Sequence, residues 1–146
     1  MLTEAQLQAD LQSAMKARAM DRVSVLRDVI AAVKNLKVEK MIQAVPEADI
    51  VGLVRREINK RAEAAEFARK ANRAELVQKN ESEKALLEAY LPQQLGAAEL
   101  EEIIKALAAE LGTTQIGPLM AKLRERHAGR YDGKLASEIV KRLATA

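Results

Sequence analysis

The 146-residue chain contains no cysteine, no tryptophan and a single histidine, His127. Without thiols there is no thiolate for nucleophilic or redox chemistry, and the usual four-ligand zinc sites have too few ligands to draw on. Any metal would have to be held by carboxylates. None of these falls in a recognisable ligand or acid–base pattern, and the adjacent Glu101 and Glu102 face different directions on a helix. No metal and no cofactor is expected. Aromatic residues make up only 2% of a chain that is 49% apolar, so Ala, Leu, Val and Ile must fill the interior. Close-packed helices accept such residues more readily than sheets do, and the expected class is all-α. No uncharged apolar run approaches the roughly 18 residues of a membrane-spanning helix, so no membrane association is expected. The first residues, "MLTEAQLQADLQSAMKARAM", are polar and lack the apolar stretch of a signal peptide. Together with the lack of cysteine, this gives a cytoplasmic location as the expectation.

What is present is charge and helical periodicity. Lys and Arg number 24 against 21 Asp and Glu, a net +3, too small to indicate nucleic acid by itself. The distribution is uneven. Residues 112–146 carry Lys122, Arg124, Arg126, Arg130, Lys134, Lys141 and Arg142 against Glu125, Asp132 and Glu138, a net +4, while residues 91–111 are at −3.

Thr3 with Gln6 forms a capping-box start for a first helix reaching about Ala19. Asp21 is placed to cap a second, with Leu26, Val29 and Val33 in its apolar stripe and an end near Lys40. Pro46 opens a third, the longest, running to about Ala71. Asn72 is placed to cap a fourth that ends at Tyr90 and whose stripe is interrupted by Asn80, Glu83 and Lys84. The middle of that stripe is either exposed or paired with Arg61 or another cation. Pro92 disfavours helical geometry at Leu91, and Gly96 permits a sharp turn. The expected division is therefore a four-helix domain over 1–92 and a three-helix domain over 93–146. In the second, Leu100, Ile104 and Leu107 lead to a stop at Gly112, Pro118 begins the next helix, and Asp132 caps the last.

The stretch "RERHAGRYDGK" (124–134) concentrates the chemistry. His127 sits at a helix end, where an imidazole interacts with terminal carbonyls. With no cysteine partner and no legible Ser-His-Asp arrangement it reads as structural, and no catalytic residue is assigned. "AGRYDGK" has two readings. As a connector, Gly129 turns the chain and Asp132 caps the next helix, with Gly133 permissive beside it. As a phosphate seat, the free amides at the helix start, with Arg130 and Lys134 beside them, suit a nucleic-acid backbone. The third-helix cations Arg55, Arg56, Lys60, Arg61, Arg69, Lys70 and Arg73 sit among Glu57, Glu63 and Glu66, a pattern that first suggests a solvated face and only second RNA binding. Phe67, Tyr90 and Tyr131 lie too far apart in sequence to form a run of stacking platforms.

Four stretches together carry a family resemblance: "LRDVIAAVKNLKVEK" (26–40), "RREINKRAEAAEFARKANRAEL" (55–76), "EKALLEAYLPQQL" (83–95) and "GRYDGKLASEIVKRL" (129–143). The chain resembles the GatB/YqeY family over nearly its whole length, with Tyr90-Leu91-Pro92 followed by Gln94-Leu95, and the Gly-x-x-Asp-Gly-Lys-Leu run at 129–135, the most specific elements. At 131 a tyrosine stands where the family commonly has a small residue. The resemblance implies a larger N-terminal helical domain and a small C-terminal three-helix domain. It also implies tRNA as a partner, because the same unit forms the tail of the GatB component of tRNA-dependent amidotransferases. Through this resemblance Lys122, Arg124 and Arg126 join Arg130 and Lys134 as RNA-binding candidates. Aminoacyl-tRNA and amidotransferase components are further implied partners. Carbon–nitrogen ligation with glutamine as amide donor, the family label, is not expected to be intrinsic, since no kinase-like core is present. The alternative reading is an adaptor that holds a partner protein in a helical groove.

Overall fold

The structure, a computed structural model, describes residues 2–145. Among them are seven α-helices and no strand, and the chain divides into two compact units, Met1–Leu91 and Pro92–Ala146.

In the first unit α1 spans Glu4–Lys16, α2 Met20–Lys40, α3 Glu47–Lys70 and α4 Ala74–Glu88. Thr3 Oγ1 accepts from the Gln6 amide at 3.1 Å, capping α1. The Gln6 side chain does not return to Thr3 as a full capping box would; it donates to Asp10 at 2.9 Å. Leu7 and Ala14 of α1, Val23, Leu26, Val29 and Val33 of α2, Ile50 and Val54 of α3 and Leu87 of α4 bury almost completely in one apolar cluster. Each large side chain among them contributes about 1.5–3 kcal/mol of burial.

Two expected caps are displaced. Asp21 is the second residue of α2, within a first turn that starts after Ala19, where its charge still favours the helix dipole. Asn72 adopts a left-handed conformation, φ 57°, and ends α3, leaving Arg73 at the N-cap of α4. Arg18 and Met41, each at φ 55°, play the same part after α1 and α2. In all three cases the next amide reaches back to a carbonyl five residues earlier: Ala19 to Ala14, Ile42 to Lys37 and Arg73 to Ala68. These are Schellman closures built without glycine.

α3 and α4 form a hairpin, and its polar middle is buried. Arg61, 8% exposed at its side chain, donates to Glu57 Oε2 at 2.8 Å, to Asp28 Oδ2 of α2 at 2.8 Å and to Glu83 Oε1 of α4 at 3.4 Å. Glu83 of the interrupted α4 stripe is thus one of three carboxylates gathered around Arg61. Burial alone would lower the Arg61 pKa, but the hydrogen bonds it donates to Glu57 and Asp28 and the charge of Glu83 outweigh it and hold the guanidinium charged.

In the second unit α5 spans Ala97–Leu111, α6 Ile116–His127 and α7 Gly133–Ala144. Leu100, Ile104, Leu107, Leu119, Leu123, Ala136, Ile139 and Val140 make its core. Gly112, at φ 66°, closes α5. The sixth helix starts two residues before Pro118, with Gln115 as N-cap; the proline occupies the first turn, where its missing N–H costs no helical bond. No described helix is long and apolar enough to cross a membrane.

Candidate nucleic-acid interface

Within the second unit, the turn between α6 and α7 is fastened to the segment that precedes α5. Gly129 takes φ 76°, which a residue with a side chain adopts only with strain. The Leu95 amide donates to the Arg130 carbonyl at 2.7 Å, and Gln94 Nε2 donates to the Gly129 carbonyl at 2.8 Å and to that of Pro92 at 2.6 Å. In return Arg130 Nε donates to the Gln93 carbonyl at 3.0 Å. Asp132 then caps α7 by accepting from the Lys134 amide at 3.0 Å. "PQQL" and "GRYDGK" therefore form one clasp, and Gln93, Gln94 and Leu95 belong to the site although sequence reading gave them no role. The signal lay in the two motifs standing out together, but nothing in the sequence shows that they touch.

The five expected cations do not form one free patch. Arg126 makes a two-pronged salt bridge with Glu110 of α5, both bonds 2.7 Å, and this holds the Glu110 carboxyl below its ordinary pKa. Lys122 lies one turn earlier on that face, adds its charge at Glu110 and bonds Glu125 at 3.3 Å. Arg130 is half-buried, with its Nε committed to Gln93. Arg124, two residues from Arg126 and so on another side of the helix, is exposed, as are Lys134 and Lys141, and none of the three makes an ion pair among the described residues.

The remaining residues fall into place around this. Tyr131 packs against the apolar core of the unit, partly buried, so the ring is a support for the turn. A Cβ built on Gly133 would meet nothing within 4 Å, and neither space nor a left-handed backbone demands glycine there. His127 is half-buried, with Nδ1 buried and without a hydrogen-bond partner among the described residues. No group of three metal-ligating side chains occurs among the described residues.

Two all-helical units, four helices then three among the described residues, with a clasp bearing the exposed Lys134, define a class of small helical proteins. Residues 4–144 match the family described as "Yqey-like protein", and the chain belongs to it. Among its relatives is the protein named "Altered inheritance of mitochondria protein 41, mitochondrial" of Pyrenophora tritici-repentis, 26% identical over 144 residues, covering 92% of this chain and 78% of that protein. The protein of the same name in Lachancea thermotolerans is 31% identical over 97 residues, covering 66% of this chain and 52% of the relative.

Proposed function

We propose that this YqeY-like protein is a non-catalytic tRNA-binding module whose C-terminal unit holds the folded RNA by backbone charge and shape. The observation that carries the reading is the set of exposed cations without ion pairs among the described residues, Arg124, Lys134 and Lys141, on a three-helix unit whose connecting turn is held by backbone bonds. Phosphate contacts of this kind fix position without reading bases. The half-buried Arg130 adds the same chemistry at the turn, where Nε bonds Gln93 and the Nη groups carry the remaining donors.

The likeness to the amidotransferase tail supports tRNA as the RNA, with aminoacyl-tRNA or amidotransferase components as associated partners. The amide-transfer chemistry itself is assigned to those components. The absence of cysteine suits action in the cytoplasm.

Binding of labelled bulk tRNA, followed by fluorescence anisotropy at two salt concentrations, tests the reading. Wild type should bind and weaken as salt rises, and the variant with Arg124, Arg126, Arg130 and Lys134 all changed to Ala should lose most of that binding. Background-level, salt-independent signals from folded wild type would overturn it and turn attention to a protein partner.

A further inference from the structure

The second half of α3 packs on α4 outside the main apolar cluster. Ala65 and Ala68 are buried there, yet neither joins the core of the unit. Beyond them stands Phe67, the only phenylalanine in the chain, 71% exposed. It lines an open hollow together with Ala62, Glu63, Glu66 and Lys70. Tyr90 and Tyr131 are partly buried in their own cores, so Phe67 alone among the aromatic rings is open to solvent.

Its surroundings select the partner. No large apolar side chain lies one turn away on either side, where Glu63, Ala64, Lys70 and Ala71 stand. A protein-docking surface would need contiguous apolar area around the ring. Instead the end of the hairpin is basic: residues 67–80 carry Arg69, Lys70, Arg73 and Lys79 against Glu75. Arg69 is taken up by Glu66 and Glu81, which also neutralises Glu66 beside the ring. Lys70 and Arg73 are exposed and make no ion pair among the described residues. Both lie toward the hairpin turn from Phe67, whereas Glu63, which makes no ion pair among the described residues, lies one helical turn the other way. A flat ring with cations on one side is the arrangement that receives a base on its face and the adjoining phosphates beside it.

We propose that the end of the α3–α4 hairpin is a second RNA-binding surface, on which one unpaired nucleobase stacks on Phe67 while Lys70 and Arg73 hold the flanking phosphates. This rests on the chain being an RNA binder, but not on the C-terminal contacts. It needs only one stacking platform, so the wide spacing of the three aromatic rings is no obstacle.

The chain has no tryptophan, so Phe67→Trp introduces a single fluorophore at the surface in question. The experiment titrates this full-length variant with bulk tRNA and with an unstructured oligoadenylate. In parallel, anisotropy compares wild type with Phe67→Ala, Lys70→Ala/Arg73→Ala and Arg124→Ala/Lys134→Ala, all first checked for native helix content by circular dichroism. Emission of Phe67→Trp should be quenched at saturation by both RNAs. Phe67→Ala should weaken binding about fivefold or more with little change in salt dependence, while the Lys70/Arg73 variant should flatten that dependence. Unmoved emission at saturation, or Phe67→Ala binding within about twofold of wild type, would overturn the inference. In that event, loss of tRNA binding in the Arg124/Lys134 variant would leave the C-terminal reading standing. The opposite pattern would remove the C-terminal reading alone, and no binding of either RNA by wild type would remove both.

Discussion

The amide of Leu95 donates to the carbonyl of Arg130 at 2.7 Å, across 35 residues of chain and two helices. With the Gln94 and Arg130 bonds beside it, this contact turns two separate sequence motifs into one structural element. The clasp sets the direction in which the chain leaves α6 and enters α7, and so sets where Lys134 emerges.

The clasp should be measurable as stability. Gln94→Ala removes the donor to Gly129 and Pro92 and should lower the stability of the second unit by about 0.5–1.5 kcal/mol in denaturant unfolding. Native-state hydrogen exchange should show the Leu95 amide protected although it lies outside any helix.

The buried cluster predicts a larger loss. Arg61→Leu leaves the buried Glu83 without its cation and the buried Glu57 with only the exposed Lys60, 3.4 Å away, and should cost about 3–5 kcal/mol. Arg69→Ala breaks the exposed pairs with Glu66 and Glu81 and should leave the denaturation midpoint near wild type, because solvent already screens those charges.

Alkaline pH should act through Tyr90. Burial and the hydrogen bond to Asp10, 2.6 Å from its hydroxyl, push its pKa up to about 12, against the opposing influence of Arg22. The folded state therefore holds this proton more tightly than the unfolded chain, whose tyrosines titrate near 10. The resulting stabilisation is complete below pH ~10 and is lost as pH rises toward about 12. Denaturation midpoints across that range should fall in wild type and fall less in Tyr90→Phe. Ultraviolet titration of Tyr131→Phe, in which Tyr90 is the remaining tyrosine, should give the raised value directly.

Left-handed helix ends give a prediction of opposite sign. Met41, 91% exposed at φ 55°, carries a side chain in a conformation that glycine tolerates better. Met41→Gly should raise stability by up to about 1 kcal/mol, and Gly112→Ala, at φ 66°, should lower it by about 1 kcal/mol. Thermal or chemical unfolding of the two variants checks both signs.

Much of the fold was legible because helix periodicity and punctuation are local. The Leu100, Ile104 and Leu107 stripe, the stop at Gly112 and the Asp132 cap all depend on residues within one or two turns. The errors were also local in form but decided elsewhere. Asn72 is as good a cap as a helix terminator by residue chemistry, and the closure of Arg73 onto Ala68 settles it as the latter. For Glu83 the stripe left two readings, exposure or pairing with Arg61 or another cation, and the bond from Arg61, 22 residues away on another helix, decides for pairing. At the candidate site, composition identified the basic residues as a group, but it could not show that Arg126 is spent on Glu110 while Arg124, two residues earlier, makes no ion pair among the described residues.

That division within the basic group supplies the most direct test. The slope of log affinity for tRNA against log salt concentration should be measured for wild type, Arg124→Ala/Lys134→Ala and Arg126→Ala. Wild type should bind with a clear salt dependence. The first variant should show a slope shallower by about 1.8, from about 0.9 for each phosphate contact removed, and Arg126→Ala a slope close to wild type. Equal slopes in wild type and the Arg124/Lys134 variant, or no binding by folded wild type, would contradict a phosphate-holding C-terminal unit.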